Sequence, residues 1–311
     1  MLASNIRRKT VKKGLAFTIM TVGSSGLGKT TFLNTLCESP VVRKYDHSSP
    51  EKAALEKTVS INPVSVDMEE DGIRLALTIV DTPGFGDNIN NEGAFTDILA
   101  YIEKQFDDVL QEESRIKRNP KSQDNRVHVL LYFIPPTGHS LREIDIEFMR
   151  KLAHRVNVIP VIAKADTLTP PELAATKKRV MEDIAHYGIP IYNFPYDEGE
   201  DDEETIEENR ELRAALPFAI VGSEDEVVID GRRIRCRQYP WGIVEVDNAR
   251  HCDFSQLRYS LLSSHLHDLK EITHDFLYEQ YRTETLSGGN GDGDEGEDVV
   301  VDDDDEVPLR A

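Results

Sequence analysis

Apolar residues in this chain follow two rhythms. Five short, nearly continuous apolar runs recur: residues 15–22 (LAFTIMTV), 73–80 (IRLALTIV), 127–134 (VHVLLYFI), 156–163 (VNVIPVIA) and 217–221 (PFAIV). Runs of that length, rich in Val, Ile and Leu, predict strands buried on both faces. Between the second and third, Phe95, Ile98, Leu99, Ile102, Phe106, Val109 and Leu110 recur at spacings of three and four, which predicts one face of an amphipathic helix. Strands alternating with helices predict an α/β fold, a mainly parallel sheet with helices on both faces. Residues 64–69 read as an extra strand, antiparallel to the one beginning near Ile73 across the turn at Asp71-Gly72. Residues 254–281 are the longest helical candidate after the sheet, with Leu257, Leu261, Leu262, Leu266, Leu269, Ile272, Phe276 and Leu277 at apolar positions. Beyond Leu286 the composition shifts to SGGNGDGDEGED, which buries too little apolar surface to fold.

Composition alone is that of a soluble globular chain, 39% hydrophobic and 30% charged. No apolar run approaches the roughly 20 residues that span a bilayer. The opening MLASNIRRKT lacks the apolar stretch of a secretory signal. Cys37, Cys236 and Cys252 are too few and too scattered for a disulfide framework or a zinc site. These points predict a cytoplasmic protein. Charge adds more. The net charge is −21, but residues 291–306 carry ten acidic residues and no basic one. A second acidic run covers 197–208, and the opposite sign is concentrated in Arg7, Arg8, Lys9, Lys12 and Lys13. Such polarity predicts local electrostatic contacts and no nucleic-acid binding, which needs a broader basic face. His265 and His267 are two apart on a predicted helix, hence on different faces, so a shared metal is not expected.

The chemistry begins where the first strand ends. Gly23, Ser24, Ser25, Gly26, Leu27, Gly28, Lys29 and Thr30, followed by Thr31, match G-x-x-x-x-G-K-[ST] in full, between a strand and a helical run. The glycines let the backbone wrap phosphates so that successive N–H groups point inward. Lys29 is then expected on the β- and γ-phosphates and Thr30 on Mg²⁺. Asp81, in the sequence DTPG after a strand, is a second candidate for holding Mg²⁺ through water, and the Gly84 N–H for sensing a γ-phosphate. Lys164 and Asp166, in AKAD at the end of a strand, select the base. A carboxylate there accepts from N1–H and the exocyclic N2–H₂ of guanine, a donor pair adenine lacks, so adenine would leave a buried charge unpaired. The aliphatic stem of Lys164 would lie over the base. AKAD lacks the asparagine of the common N-K-x-D form.

These residues together resemble the septins, filament-forming GTP-binding proteins. GSSGLGKTT, DTPGFGD, PTGHSLREIDIEFM, VNVIPVIAKADTL, LPFAIVGS and YPWGIVEV carry the resemblance, which covers roughly residues 12–282. NTLC, EESRIKRNP, YNFPYDE, SHLHDLK and YRTETLSG are similar to the fungal subgroup that usually caps the hetero-oligomeric rod. The resemblance implies a basic N-terminal segment (1–13), a P-loop (Ras-like) G domain (14–282) whose septin unique element spans about 238–282, and a disordered acidic tail (283–311). It implies that Gly222 contacts the base and that Arg237 packs on the guanine face opposite Lys164. It places His139 and Trp241 at the G interface across the nucleotide pocket. The N- and C-terminal elements form the NC interface, and the basic cluster at 7–13 also meets phosphoinositide-rich membrane. Septins of this subgroup usually continue into a coiled coil, where this chain has its acidic tail.

Thr58, in EKTVSI, aligns with the switch threonine that active septins use to hold Mg²⁺ and position the attacking water. Phe85 follows Gly84 where small GTPases carry a water-orienting glutamine, and the sequence identifies no arginine finger. Such a finger is worth about 10³–10⁵ in rate. The expectation is therefore slow hydrolysis of GTP to GDP, or none, in a structural subunit that joins other septins in cortical filaments at the septum or bud neck. The alternative is a monomeric switch GTPase cycling between ordered and disordered loops.

Overall fold

The structure, a computed structural model, describes residues 15–42, 61–70, 72–85, 92–117, 124–199, 201–229 and 231–288. Six strands form one sheet in the order β2-β3-β1-β4-β5-β6. β1 (Leu15–Gly23) runs parallel to both β3 (Ile73–Asp81) and β4 (Val129–Ile134), and β5 (Asn157–Ile162) and the short β6 (Phe218–Ala219) extend the parallel series. β2 (Asn62–Glu70) pairs antiparallel with β3, Glu70 facing Ile73, as the alternation of 64–69 predicts. Every residue of β4 and β5 is buried, which is why these strands read as unbroken apolar runs.

Helices cover both faces. One core cluster gathers Phe17, Ile19, Phe32, Phe133, Phe218, Phe254 and Leu257, beneath α1 (Lys29–Leu36) and the C-terminal helical segment. The other gathers Met20, Val22, Ile98, Ile102, Phe106, Phe148 and Met149, beneath α2 (Glu92–Ser114) and α3 (Glu143–Leu152). α4 (Pro170–His186) and α5 (Glu203–Ala215) lie between β5 and β6 in the chain. The second acidic run explains itself locally. Asp202 caps α5 by accepting from the Thr205 N–H at 2.8 Å, and Glu203 and Glu204 sit in the first turn, where the helix dipole favours negative charge.

Two features depart from the sequence pattern. Three segments not anticipated as strands form a separate antiparallel sheet: β7 (Glu226–Ile229), β8 (Arg232–Tyr239) and β9 (Gly242–Glu245). The predicted helix over 254–281 is broken. α6 (Phe254–Tyr259), α7 (Leu266–Ile272) and α8 (Glu279–Gly288) are joined by wider turns at Ser260–Ser264 and Thr273–Tyr278, with a non-helical His265 between the first two. The second wide turn has a cause. The Leu269 carbonyl accepts from Asn157 Nδ2 at 3.1 Å and from Thr273 Oγ1 at 2.7 Å, side-chain donors inserted into the ladder.

Candidate functional site: a groove across the strand ends

β1, β3, β4 and β5 all end on one side of the sheet, where α/β folds bind ligands. The loop after β1 closes there. α1 is capped by Gly28, at φ 85°, and by no side chain, so its first N–H groups stay available to a phosphate. Lys29 is buried and donates its ammonium to the Gly23 carbonyl at 2.8 Å and the Ser24 carbonyl at 2.9 Å, inside the curve of the loop. Gly84 lies against this loop so closely that a Cβ there would meet Ser25 Cα at 2.4 Å and Ser25 N at 2.6 Å. The contact is held by the Ser25 N–H donating to the Phe85 carbonyl at 3.2 Å. A backbone approach of this kind, around a buried lysine, fits the phosphate cradle that the glycine pattern predicts.

Asp81, 5% exposed at the end of β3, accepts from Thr30 Oγ1 at 2.7 Å and Thr21 Oγ1 at 3.4 Å. Burial pushes its carboxyl above the ordinary aspartate range, against the opposing pull of the Thr30 hydroxyl and the Lys29 charge. Thr30 and Asp81 are thus one hydrogen bond apart, as two ligands of one cation need to be. Thr58 and the basic cluster Arg7, Arg8, Lys9, Lys12 and Lys13 lie outside the described residues.

The other half of the groove is a pocket lined by Leu27, Gly28 and Thr31 on one side and by Lys164, Gly222 and Arg237 on the other. Lys164 sits in left-handed backbone (φ 49°, ψ 48°) and starts the short 3-10 turn Ala165–Thr167 that carries Asp166. The Ala163 N–H to Ile134 carbonyl and Ala165 N–H to Ile220 carbonyl bonds, 3.0 and 3.1 Å, tie that turn to the strand ends. The Asp166 side chain has no exposed surface. It accepts from Arg237 Nη1 at 3.1 and 3.4 Å and from the Tyr239 hydroxyl. The period of two along β8 puts Arg235, Arg237 and Tyr239 on one face. Arg235 on that face donates to the Thr35 carbonyl at 2.8 Å and pairs with Asp247, which fastens β8 to α1. Burial, and then the Asp166 contact, raise the Tyr239 phenol, so it stays protonated and donating. Gly222 packs on α1, where a Cβ would stand 3.2 Å from Phe32 Cα and N.

Trp241 and His139 are both exposed, Trp241 at 82% and stacked on Tyr239 with ring centres 4.9 Å apart and planes 8° apart. Phe85, by contrast, is buried and stacked on Phe148 at 4.4 Å, turned into the core and away from the groove.

Two functional candidates escape the motifs. Tyr239 is one. Arg142 is the other: its Nη2 donates to Ser24 Oγ at 2.7 Å, at the lip of the phosphate loop. Asp145 grips the same guanidinium at 2.7 and 2.9 Å and also accepts from the Tyr132 hydroxyl at 2.8 Å. The only sequence signal for Arg142 is its place in the block PTGHSLREIDIEFM, just after a strand end.

The chain is similar to septins in sequence and in fold. The family model described as Septin matches residues 13–295. The chain is 53% identical over 281 residues to septin homolog spn3 of Schizosaccharomyces pombe, covering 90% of this chain and 75% of that protein. It is 50% identical over 289 residues to cell division control protein 11 of Saccharomyces cerevisiae (91% and 69%), and 47% identical over 285 residues to human septin-4 (92% and 59%). The crystal structure of Cdc11 from Saccharomyces cerevisiae superposes with a TM-score of 0.60 at 41% identity, covering 88% of this chain and all of that one.

Proposed function

The chain belongs to the septin family, and we propose that it is a guanine-nucleotide-binding structural subunit, assembling with other septins into cortical filaments of dividing cells. The observation that carries this reading is the groove itself. A glycine-built phosphate cradle and a fully buried carboxylate, Asp166, face one cleft, and the hairpin bearing exposed Trp241 borders it. Nucleotide in that cleft lies beside the surface through which a neighbour docks, and serves as part of the joint. Family membership favours the subunit over the monomeric switch.

The finer assignments follow from the same residues. Thr30 and Asp81, with Thr58, would hold Mg²⁺, which would supply positive charge beside the phosphate oxygens. Lys29 and the amides from Gly23 to Thr31 bind the phosphates, Gly84 approaches the last of them, and Lys164, Asp166, Gly222 and Arg237 take the base. Hydrolysis is slow or absent, because Phe85 stands where a water-orienting glutamine would and no arginine finger is identified. His139 and Trp241 belong to the G interface. The cluster at 7–13 attaches the cytoplasmic protein weakly to phosphoinositide surfaces, on the order of 1 kcal/mol for each basic residue. The division into 1–13, 14–282 and 283–311 accompanies these roles.

Release of bound nucleotide by acid, followed by anion exchange, tests the binding reading; GDP or GTP is expected, and adenine nucleotides would contradict it. Incubation with GTP and Mg²⁺ over hours then tests hydrolysis, where conversion that vanishes in Thr58→Ala would show a working, slow GTPase. Assembly is tested by sizing the chain mixed with partner septins, where Trp241→Ala is expected to leave shorter complexes.

A further inference from the structure

We propose that Tyr239 is a latch on the guanine-selecting carboxylate, so that nucleotide must displace it and in doing so moves the hairpin that carries Trp241. The proposal rests on the reading of Asp166 as the guanine site. Guanine approaches a carboxylate with two adjacent donors, N1–H and N2–H₂, and needs an accessible edge bearing both oxygens. A carboxylate has about four lone-pair directions to offer. Here its surface is wholly covered, with Arg237 Nη1 within 3.4 Å of both oxygens and the Tyr239 hydroxyl on Oδ2. A base seating on Asp166 therefore has to remove one of these donors.

The neutral donor leaves. Arg237 brings a full charge to a buried anion, which the neutral donors of a base do not replace, whereas one of those donors replaces the Tyr239 hydroxyl in kind. Arg237 stays near as counter-ion, and the Tyr239 hydroxyl gives way. Its ring cannot move alone. Tyr239 pairs with Gly242 across the two-residue turn Pro240-Trp241, and its ring stacks on Trp241 at 4.9 Å. Breaking the hydroxyl contact loosens that stack at a point 82% exposed to solvent. Base recognition is thereby converted into a change of the outward hairpin surface. By linkage, whatever clamps Trp241 changes nucleotide affinity by the same factor.

Trp241 is the single tryptophan of the chain, so its emission reports on this hairpin without labelling. The experiment uses the full chain and GDP with Mg²⁺, titrated by calorimetry and by tryptophan emission, with ADP as control. Wild-type emission is expected to shift saturably with GDP, at the calorimetric midpoint, and not with ADP. Tyr239→Phe keeps the ring and its stack but removes the competing donor. It is expected to bind GDP about tenfold tighter, the lower end of what a hydrogen bond to a charged group is worth. Equal or weaker GDP binding by Tyr239→Phe overturns the latch, and so does GDP binding that leaves wild-type emission unmoved. The wild-type titration decides the matter if the variant does not fold. Failure of both proteins to bind GDP would overturn the guanine reading, and the latch with it, an outcome distinct from equal binding by both.

Discussion

Asp81 and Asp166 both stand at strand ends on the same groove, both are buried, and they are satisfied in opposite ways. Asp81 takes side-chain hydrogen bonds from two threonine hydroxyls, Thr30 and Thr21, and burial raises its carboxyl. Asp166 lies against an arginine and a phenol from a separate small sheet. The first anion is hydrogen-bonded by neutral hydroxyls with the Lys29 charge nearby, and on the proposed reading it gains most from a divalent cation arriving with its ligand. The second has a cation and a hydroxyl supplied by the chain, and on the latch proposal exchanges part of that set for a base. On these proposals one end of the groove is prepared by leaving charge to be met, the other by meeting it provisionally. The phosphate end is also built from backbone and glycines, whereas the base end is built from side chains on distant elements.

The strongest way to break the comparison is at the base end. Asp166→Asn replaces an acceptor-only group by one that presents an amide, which meets the guanine donors badly. Sites built to pair a substrate's donors reject an analogue lacking them by about 10⁴–10⁵. GDP affinity should therefore fall by on the order of 10³, while ADP, held by the phosphate end alone, changes little. Competition binding with the two nucleotides measures this, and a variant that still prefers guanine would remove Asp166 from the site.

At the phosphate end the test is steric. Gly84→Ala drives a methyl into Ser25 backbone atoms at 2.4 and 2.6 Å and must break the Ser25 N–H to Phe85 bond. Overpacking of this kind costs about 1–3 kcal/mol. GDP affinity should fall about tenfold to a hundredfold, and Tm should drop by about 2–4 °C for each kcal/mol lost. Gly26→Ala, at φ 75° with open space around its Cβ position, carries only the left-handed backbone penalty of about 1–2 kcal/mol. Equal GDP affinities in the two variants would mean that the close approach of Gly84 plays no part in binding.

The same contrast governs how much of the molecule can be read without coordinates. The phosphate end is contiguous: nine residues, 23–31, running from the end of a strand into a helix, with glycine wherever backbone must bend or approach. The five apolar runs and the antiparallel 64–69 strand are legible because their burial follows local periodicity. Asp166 was a candidate from its strand end and its chemistry. Its contact with Tyr239, 73 residues away, was not legible, and neither was that of Arg142 with Ser24 of the phosphate loop, 118 residues apart. β8 hides as a strand because Arg232, Arg233, Arg235 and Arg237 dominate it, although Asp230-Gly231 between Ile229 and Arg232 is a hairpin signal. The wide turn after Leu269 depends on Asn157, 112 residues earlier, so helical spacing alone predicts an unbroken helix there.

The subtlest test concerns Asp81 itself. Its folded-state carboxyl is raised by burial above its unfolded value, so the folded chain binds that proton more tightly than the unfolded chain does. Stability changes with pH in proportion to the protons bound by the unfolded minus the folded state. For this group the difference is negative between the unfolded value and the raised folded one. Its charged form thus costs the nucleotide-free fold stability at neutral pH, and the cost is relieved as pH falls through the raised value toward about 4, the ordinary aspartate range. Asp81→Asn removes the charge and should melt higher than wild type at pH 7 without nucleotide. Because other carboxylates shift the opposite way, Asp124 above all beside Arg126 and His128, the difference between the two proteins is what counts. That gap should narrow as pH is lowered, and should reverse when GDP and Mg²⁺ are added, because the cation then favours the charged form. Melting curves at several pH values, with and without GDP and Mg²⁺, give the answer. A variant that melts no higher than wild type at neutral pH would show that Asp81 is already compensated within the chain, as Asp166 is, and the contrast between the two ends would disappear.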